Sequence, residues 1–204
     1  MATDYSRAKR LLARRDPVLR ELMREHGPCG LADAQHTDPF RALVSAIISQ
    51  QLSTKAAATI KARLDALVAP RLTPSRVAAV TDEALREVGL SRQKIAYLRD
   101  LCNRVTAGDL ALDQLDEMSD EDVVAALTSV KGIGRWTAEM FLMFRLHRPD
   151  VLPVGDLGIV KAVQRAYGMR KVPSPERLMK LGEQWRPYRS VACWYLWASL
   201  DNKP

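Results

Sequence analysis

Apolar residues along this chain recur at three- and four-residue intervals, the spacing that places them on one stripe of an α-helix. In "DPFRALVSAIISQ" the stripe is Phe40, Leu43, Val44, Ile47 and Ile48. Asp38 ahead of it has the short acceptor side chain of an N-cap. Pro39 suits the first turn, where its missing N–H costs nothing. "STKAAATIKARLDALV" repeats the plan with Ser53 as the cap, and "TPSRVAAV" and "TDEALREV" predict two short helices, each opened by Thr. "SRQKIAYLRDLCNRVTAG" carries Ile95, Leu98, Cys102 and Val105 at helical spacing and stops at Gly108. "SDEDVVAALTSV" opens on a capping box, with Asp122 in the place usual for Glu, three residues after Ser119. Further helices are expected from Gly158 to Tyr167, Pro175 to Gln184 and Tyr188 to Leu200. No stretch alternates as a half-buried strand would. The expected class is all-α with short connections.

At 204 residues, 47% of them hydrophobic, the chain can bury a real core, and its length favours one or two domains. The opening "MATDYSRAKRLLARRD" is charged and lacks the apolar segment of a signal peptide. No run approaches the ~18 apolar residues of a membrane span, so a soluble, cytoplasmic protein is expected. Cys29, Cys102 and Cys193 lie far apart with no CxxC spacing, and His26, His36 and His147 show no ligand spacing. Reduced thiols are expected rather than a zinc site or an iron–sulfur cluster, and the histidines read as surface or helix-end residues.

The formal charge is +7, and its distribution says more than its total. Leu101 to Val130 holds one Arg against seven acids, whereas Arg145 to Arg189 holds ten Lys or Arg against four. Such segregation suits a protein with one basic face for a polyanion, although solvated helix surfaces produce it too.

The stretch "SVKGIGRWTAEMFLMF" is predicted as a helix from Asp120 to Ser129, a tight turn, and a helix from Arg135 to His147. Two glycines flanking Ile133 permit backbone conformations that a β-carbon penalises, and they let a phosphate come close. The amides of Gly132, Gly134 and Arg135 then lie at a helix N-terminus, a natural anion site, and Lys131 adds a charge. Val130 and Ile133 point inward. This is the pattern of a helix-hairpin-helix, which grips the DNA backbone without reading its sequence. The bland alternative is a glycine-rich turn between two core helices. Downstream, "DVLPVGDLGIVKAVQRAYG" sets Asp156 between an irregular Pro/Gly loop and an apolar helix. On its own, Asp156 reads as a helix N-cap.

"AIISQQLSTKAA", "VKGIGRWTAEMFL", "LPVGDLGIVKAV" and "WRPYRSVACWYLW" together resemble, in order, the motifs of the helix-hairpin-helix DNA glycosylase superfamily, and within it 3-methyladenine DNA glycosylase II in its compact form. They span Ala46 to Trp197. The resemblance implies two helical lobes with an active cleft between them and the helix-hairpin-helix at the cleft rim. One lobe would run from 39 to 148, with the hairpin at about 120–147; the other would join 1–38 to 149–204.

The resemblance further implies a monofunctional DNA N-glycosylase of base excision repair, acting as a monomer on double-stranded DNA that contains alkylated bases. Asp156 would be the catalytic carboxylate. Trp136, Trp197, Met140 and Leu157 would line the base pocket, and Gln51 or Leu52 would be the wedge that enters the duplex as the damaged nucleotide flips out. Lys131, Gly132, Gly134, Arg135 and Thr137 would hold the DNA backbone. No cofactor is required, but the main-chain carbonyls of Thr128, Val130 and Ile133 match those that hold an alkali-metal ion, sodium or potassium, in the family. Bifunctional relatives carry a lysine nucleophile where this chain has Trp136, and the cluster cysteines are missing. Arg186, Tyr188 and Arg189 fit either phosphate contacts or a link between the lobes. Two other readings compete: a non-catalytic DNA-binding module, in which Asp156 is only a cap, and a glycosylase/lyase, for which Lys131 and Lys161 are the nearest amines.

Overall fold

The computed structural model describes residues 4–33 and 38–201; His36 lies outside them. Every regular element among the described residues is helical. The chain divides into two compact units, one of residues 36–141 and the other of 1–35 with 142–204.

In the first unit, α3 (Pro39–Ser49) and α4 (Thr54–Leu67) are followed by the short α5 (Pro74–Ala79) and α6 (Asp82–Glu87), then α7 (Arg92–Ala107) and α8 (Asp120–Thr128). Each begins where a short polar side chain accepts an amide of the first turn: Asp38, Ser53, Thr73, Thr81, Ser91 and Ser119. Phe40, Leu43, Val44, Ile47 and Ile48 are all buried, as their stripe requires, and α7 packs on α3, α5 and α6. Gly108 ends α7 in the left-handed conformation. The capping box expected at α8 is only half formed: the Ser119 hydroxyl oxygen accepts the Asp122 amide at 3.2 Å, but the Asp122 carboxylate accepts the Ser119 hydroxyl at 2.6 Å rather than the Ser119 backbone N–H.

In the second unit, α1 (Tyr5–Arg15) and α2 (Pro17–His26) precede α10 (Leu157–Ala166), α11 (Pro175–Gly182) and α12 (Arg189–Asp201). The apolar α12 packs against α1, α2 and α10. Asp16 holds this unit together. It is 1% exposed, and its Oδ1 caps α2 through the amides of Val18 and Leu19. Its Oδ2 accepts from the Tyr167 hydroxyl, Gln184 Nε2 and Trp185 Nε1. Burial and the adjoining Asp16 push the Tyr167 phenol well above its ordinary range. A buried carboxylate is tolerable only with such a full set of donors.

The unit boundary falls inside α9 (Arg135–Phe144), which ends three residues before the expected His147. His147 has φ of 51°, outside helical geometry, so the apolar pattern outran the backbone. Cys29, Cys102 and Cys193 are buried and form no disulfide, and burial raises the Cys102 thiol to about 11.

Candidate functional site

Helix α8, the turn and residues 135–141 of α9 lie within the first unit. Val130 and Ile133 are buried at 1% and 3% exposure and anchor the turn between α8 and α9. The Ile133 amide closes the turn on the Val130 carbonyl at 3.1 Å. Gly132 has φ of 81°, and a β-carbon there would lie 2.1 Å from the Tyr97 ring, so both backbone and packing demand glycine. At Gly134 a β-carbon would meet nothing within 4 Å. Nothing inside the protein therefore requires glycine at that position, whereas an external group approaching the backbone would.

The first bond of α9 runs from the Ala138 amide to the Gly134 carbonyl. Amides before it, including those of Arg135 and Thr137, have no acceptor within the helix and form its positive end. The Lys131 amide is already bound by Asp100 Oδ2 at 2.9 Å, and Arg104 Nε reaches the same oxygen at 2.9 Å. Burial pushes the Asp100 carboxyl up, but these two donors outweigh it and hold the group below its ordinary value. The Arg135 guanidinium lies between Glu121, at 2.8 Å, and Glu139, at 3.1 Å. The hydrogen bond that the guanidinium donates to Glu121, more than any other contact, holds its pKa above the ordinary value. Thr137 is 8% exposed. Lys131, by contrast, is exposed.

The carbonyls of Thr128, Val130 and Ile133 lie at and just beyond the C-terminus of α8, where the helix dipole favours a cation. Neutral carbonyl oxygens without a carboxylate suit a weakly charged hard ion better than a transition metal. Val130 already spends one lone pair on Ile133 and keeps the other. The donor set thus fits an alkali-metal ion. Among the described residues, no three His, Cys, Asp or Glu group as a metal site.

The loop after α3 is bound to the hairpin. Gln50 Nε2 donates to the Gly132 carbonyl at 2.8 Å. Lys94 Nζ reaches the carbonyls of Ile48 and Gln50 at 2.7 and 2.8 Å, and burial lowers its pKa. The next residue, Gln51, has φ of 56°, a left-handed conformation that a side chain with a β-carbon adopts at a cost. It is exposed, beside Leu52 at 38% exposure. Gln51, Leu52, Lys94, Tyr97, Gly132 and Trp136 are among the residues lining one groove of about 500 Å³. Trp136 is 51% exposed, so it is not a core residue. Met140, on the same helix, is half-buried.

The second unit holds the carboxylate. Asp156 caps α10, its Oδ1 accepting the Ile159 amide at 2.7 Å. The same oxygen accepts the Trp197 indole N–H at 2.9 Å. Asp156 is 8% exposed. Trp197 stacks on Phe144, with ring centroids 5.9 Å apart and planes 28° from parallel. Phe144 was not singled out in the sequence. Gly158 admits this arrangement: a β-carbon there would lie 2.9 Å from Asp156 Oδ1 and 3.1 Å from Trp197 Nε1. The helix cap and an aromatic donor thus fix one carboxylate in a largely buried place. Leu157 beside it is 73% exposed.

Other expected residues find partners inside their own unit. Arg186 and Arg189 both pair with Asp150, at 2.7 and 2.8 Å, and Arg186 also with Glu183. Lys161 is exposed on α10.

Residues 44–187 match the family described as HhH-GPD superfamily base excision DNA repair protein. DNA-3-methyladenine glycosylase 1 of Schizosaccharomyces pombe is 34% identical over 163 residues, 78% of this chain and 72% of that protein. The crystal structure of a DNA-3-methyladenine glycosidase from Bacillus halodurans superposes with a TM-score of 0.87 at 40% identity, over 99% of this chain and 92% of that one. The 3-methyladenine DNA glycosylase of Schizosaccharomyces pombe, in complex with abasic DNA, superposes with a TM-score of 0.81 at 29% identity, over 96% and 97%.

Proposed function

The chain belongs to the HhH-GPD superfamily of base excision DNA repair proteins, and we propose that within it the protein is a monofunctional DNA N-glycosylase releasing alkylated bases of the 3-methyladenine type. The observation that carries this reading is Asp156, buried at a helix N-terminus and oriented by the Trp197 indole.

As the N-glycosidic bond breaks, positive charge develops on the sugar. A fixed carboxylate stabilises that charge and can orient the attacking water. A base alkylated on a ring nitrogen is already cationic and departs as a neutral molecule, so no general acid is needed. Trp136 presents an indole face that attracts such a base, by ~1–2 kcal/mol when desolvated. The hairpin holds the DNA backbone through the amides at the start of α9 and through Lys131. Gln51 or Leu52 fills the gap left by the flipped nucleotide. The carbonyls of Thr128, Val130 and Ile133 would hold a sodium or potassium ion, which supplies positive charge to a nearby phosphate.

The absence of a lysine at position 136 favours simple hydrolysis over a Schiff-base lyase. The test is incubation with methylated duplex DNA and identification of the bases released, with borohydride trapping alongside. Base release without a trapped adduct is expected. A covalent adduct would refute the monofunctional assignment, and no release from any alkylated duplex would refute the glycosylase.

A further inference from the structure

Helix α1 carries a face that the reaction described above does not use. Arg7, Arg10, Leu11, Arg14 and Arg15 line a shallow concavity of about 470 Å³. At 3.6 residues per turn these five positions fall within a sector of about 140°, and Ala8 and Leu12, both fully buried, lie to one side of it. The four arginines are exposed. Arg15 is anchored, its guanidinium donating to the Arg186 carbonyl at 2.6 Å. Among the described residues, Arg7, Arg10 and Arg14 enter no ion pair. The helix contains no acid. Asp4 caps its start through the Arg7 amide, and the buried Asp16 beyond its end is occupied by its own donors. Arg186 and Arg189 in the same unit, by contrast, are neutralised by Asp150. The charge of α1 is left uncompensated at the protein surface.

We propose that the arginine face of α1 is an additional docking surface for the nucleic-acid backbone. The inference rests on DNA being the protein's partner, and it adds a contact apart from the hairpin. Guanidinium groups match phosphate geometry and are readily desolvated. From Arg7 to Arg14 the helix rises about 10 Å, enough to lie along about three phosphates of one strand at ~3.4 Å of duplex axis each. The contact is sequence-independent and contributes to affinity and capture rate.

The test is the salt dependence of binding to an undamaged duplex, read by fluorescence anisotropy, for the wild type, Arg7→Gln/Arg10→Gln/Arg14→Gln, and the matching triple Lys variant. Each phosphate contact contributes about 0.9 to the slope of log K against log salt. The triple Gln variant should therefore lose about 2 to 3 from that slope, and the triple Lys variant should keep most of it. Thermal melting of each variant confirms the fold. A Gln-variant slope within about 0.5 of the wild type overturns the proposal. So does loss of poly-glutamate binding without loss of DNA binding, which would mark the face as a site for acidic protein. Base release is scored separately, so failure of the glycosylase assignment leaves the slope measurement intact.

Discussion

Alanine at position 158 should slow base release while leaving the fold and DNA binding in place. Gly158 lies in the first turn of α10 without a positive φ, so alanine fits the backbone. As a better helix former it adds up to ~1 kcal/mol. Its β-carbon, however, would arrive 2.9 Å from Asp156 Oδ1 and 3.1 Å from Trp197 Cδ1 and Nε1, where ordinary contact begins at 3.4 Å. The carboxylate must retreat by about 0.5 Å and the indole by about 0.3 Å, which stretches the 2.9 Å bond between them. A displacement of ~1 Å in a catalytic group can cost ~100-fold. A hydrogen bond to a charged group contributes ~1.5–3 kcal/mol, where 1.4 kcal/mol is tenfold. Single-turnover release of methylated purines should therefore fall by roughly 10- to 100-fold. Melting should stay within about 4 °C of the wild type, and affinity for an abasic-site analogue should hold within a factor of ~3. A Gly158→Ala protein that is folded and fully active would refute the argument, because Asp156 would then tolerate displacement and act only as a cap. Trp197→Phe isolates the hydrogen bond, since it retains an aromatic surface for Phe144 and removes the donor; a loss of ~10-fold is expected.

Four further substitutions probe the remaining parts. Asp156→Asn should cut single-turnover release by at least ~100- to 1000-fold, with binding and melting kept, because asparagine caps helices about as well as aspartate. Gln51→Gly should relieve the left-handed strain and stabilise by roughly 1 kcal/mol in urea titrations. It should also lower excision of a paired lesion more than of a mispaired one, where flipping is easier. Lys94→Met strips the donor from the Ile48 and Gln50 carbonyls, each worth ~1–3 kcal/mol if left buried, and lower stability together with a Gln51-like excision defect is expected. Asp100→Asn tests the hairpin's anchor by pH. The folded-state pKa of Asp100 is depressed, so its stabilising contribution is full well above the unfolded value of ~3.9 and is lost as pH falls through the lower folded one. The stability gap between wild type and variant, measured in urea, should be open at pH 7 and close below about pH 4; a gap independent of pH would contradict it.

The sequence disclosed what is local. Asp38, Ser53, Thr73, Thr81 and Ser119 could be read as caps because a cap reaches only two or three residues along the chain. The hairpin could be read for the same reason, as Val130, Gly132, Ile133 and Gly134 all act within one turn. Its inward anchors Val130 and Ile133 are buried as that reading requires. Asp156 declared itself as a cap by position, and only the order of motifs along the chain raised it to a catalytic candidate. Contacts that join distant segments could not be read. Asp16 meets Tyr167, Gln184 and Trp185, at least 151 residues away. Gln50 reaches Gly132 across 82 positions, and Trp197 reaches Asp156 across 41.

The hairpin glycines and Gly158 of α10 make the same point from opposite directions. In "KGIG" the glycines advertise themselves, because two within three residues are unusual before an apolar helix. Gly158 passed unnoticed, since a single glycine in a first helical turn reads as a weak helix position costing ~1 kcal/mol. Its reason is visible only once the Trp197 indole is placed against Asp156 Oδ1, with the space for a β-carbon already taken. At Gly158, unlike Gly155 on the other side of Asp156, where a β-carbon would meet nothing, the missing side chain marks a neighbour brought in from elsewhere in the chain. Here that neighbour is the aromatic donor that fixes the carboxylate, so the position with no side chain sets the geometry on which the proposed chemistry depends.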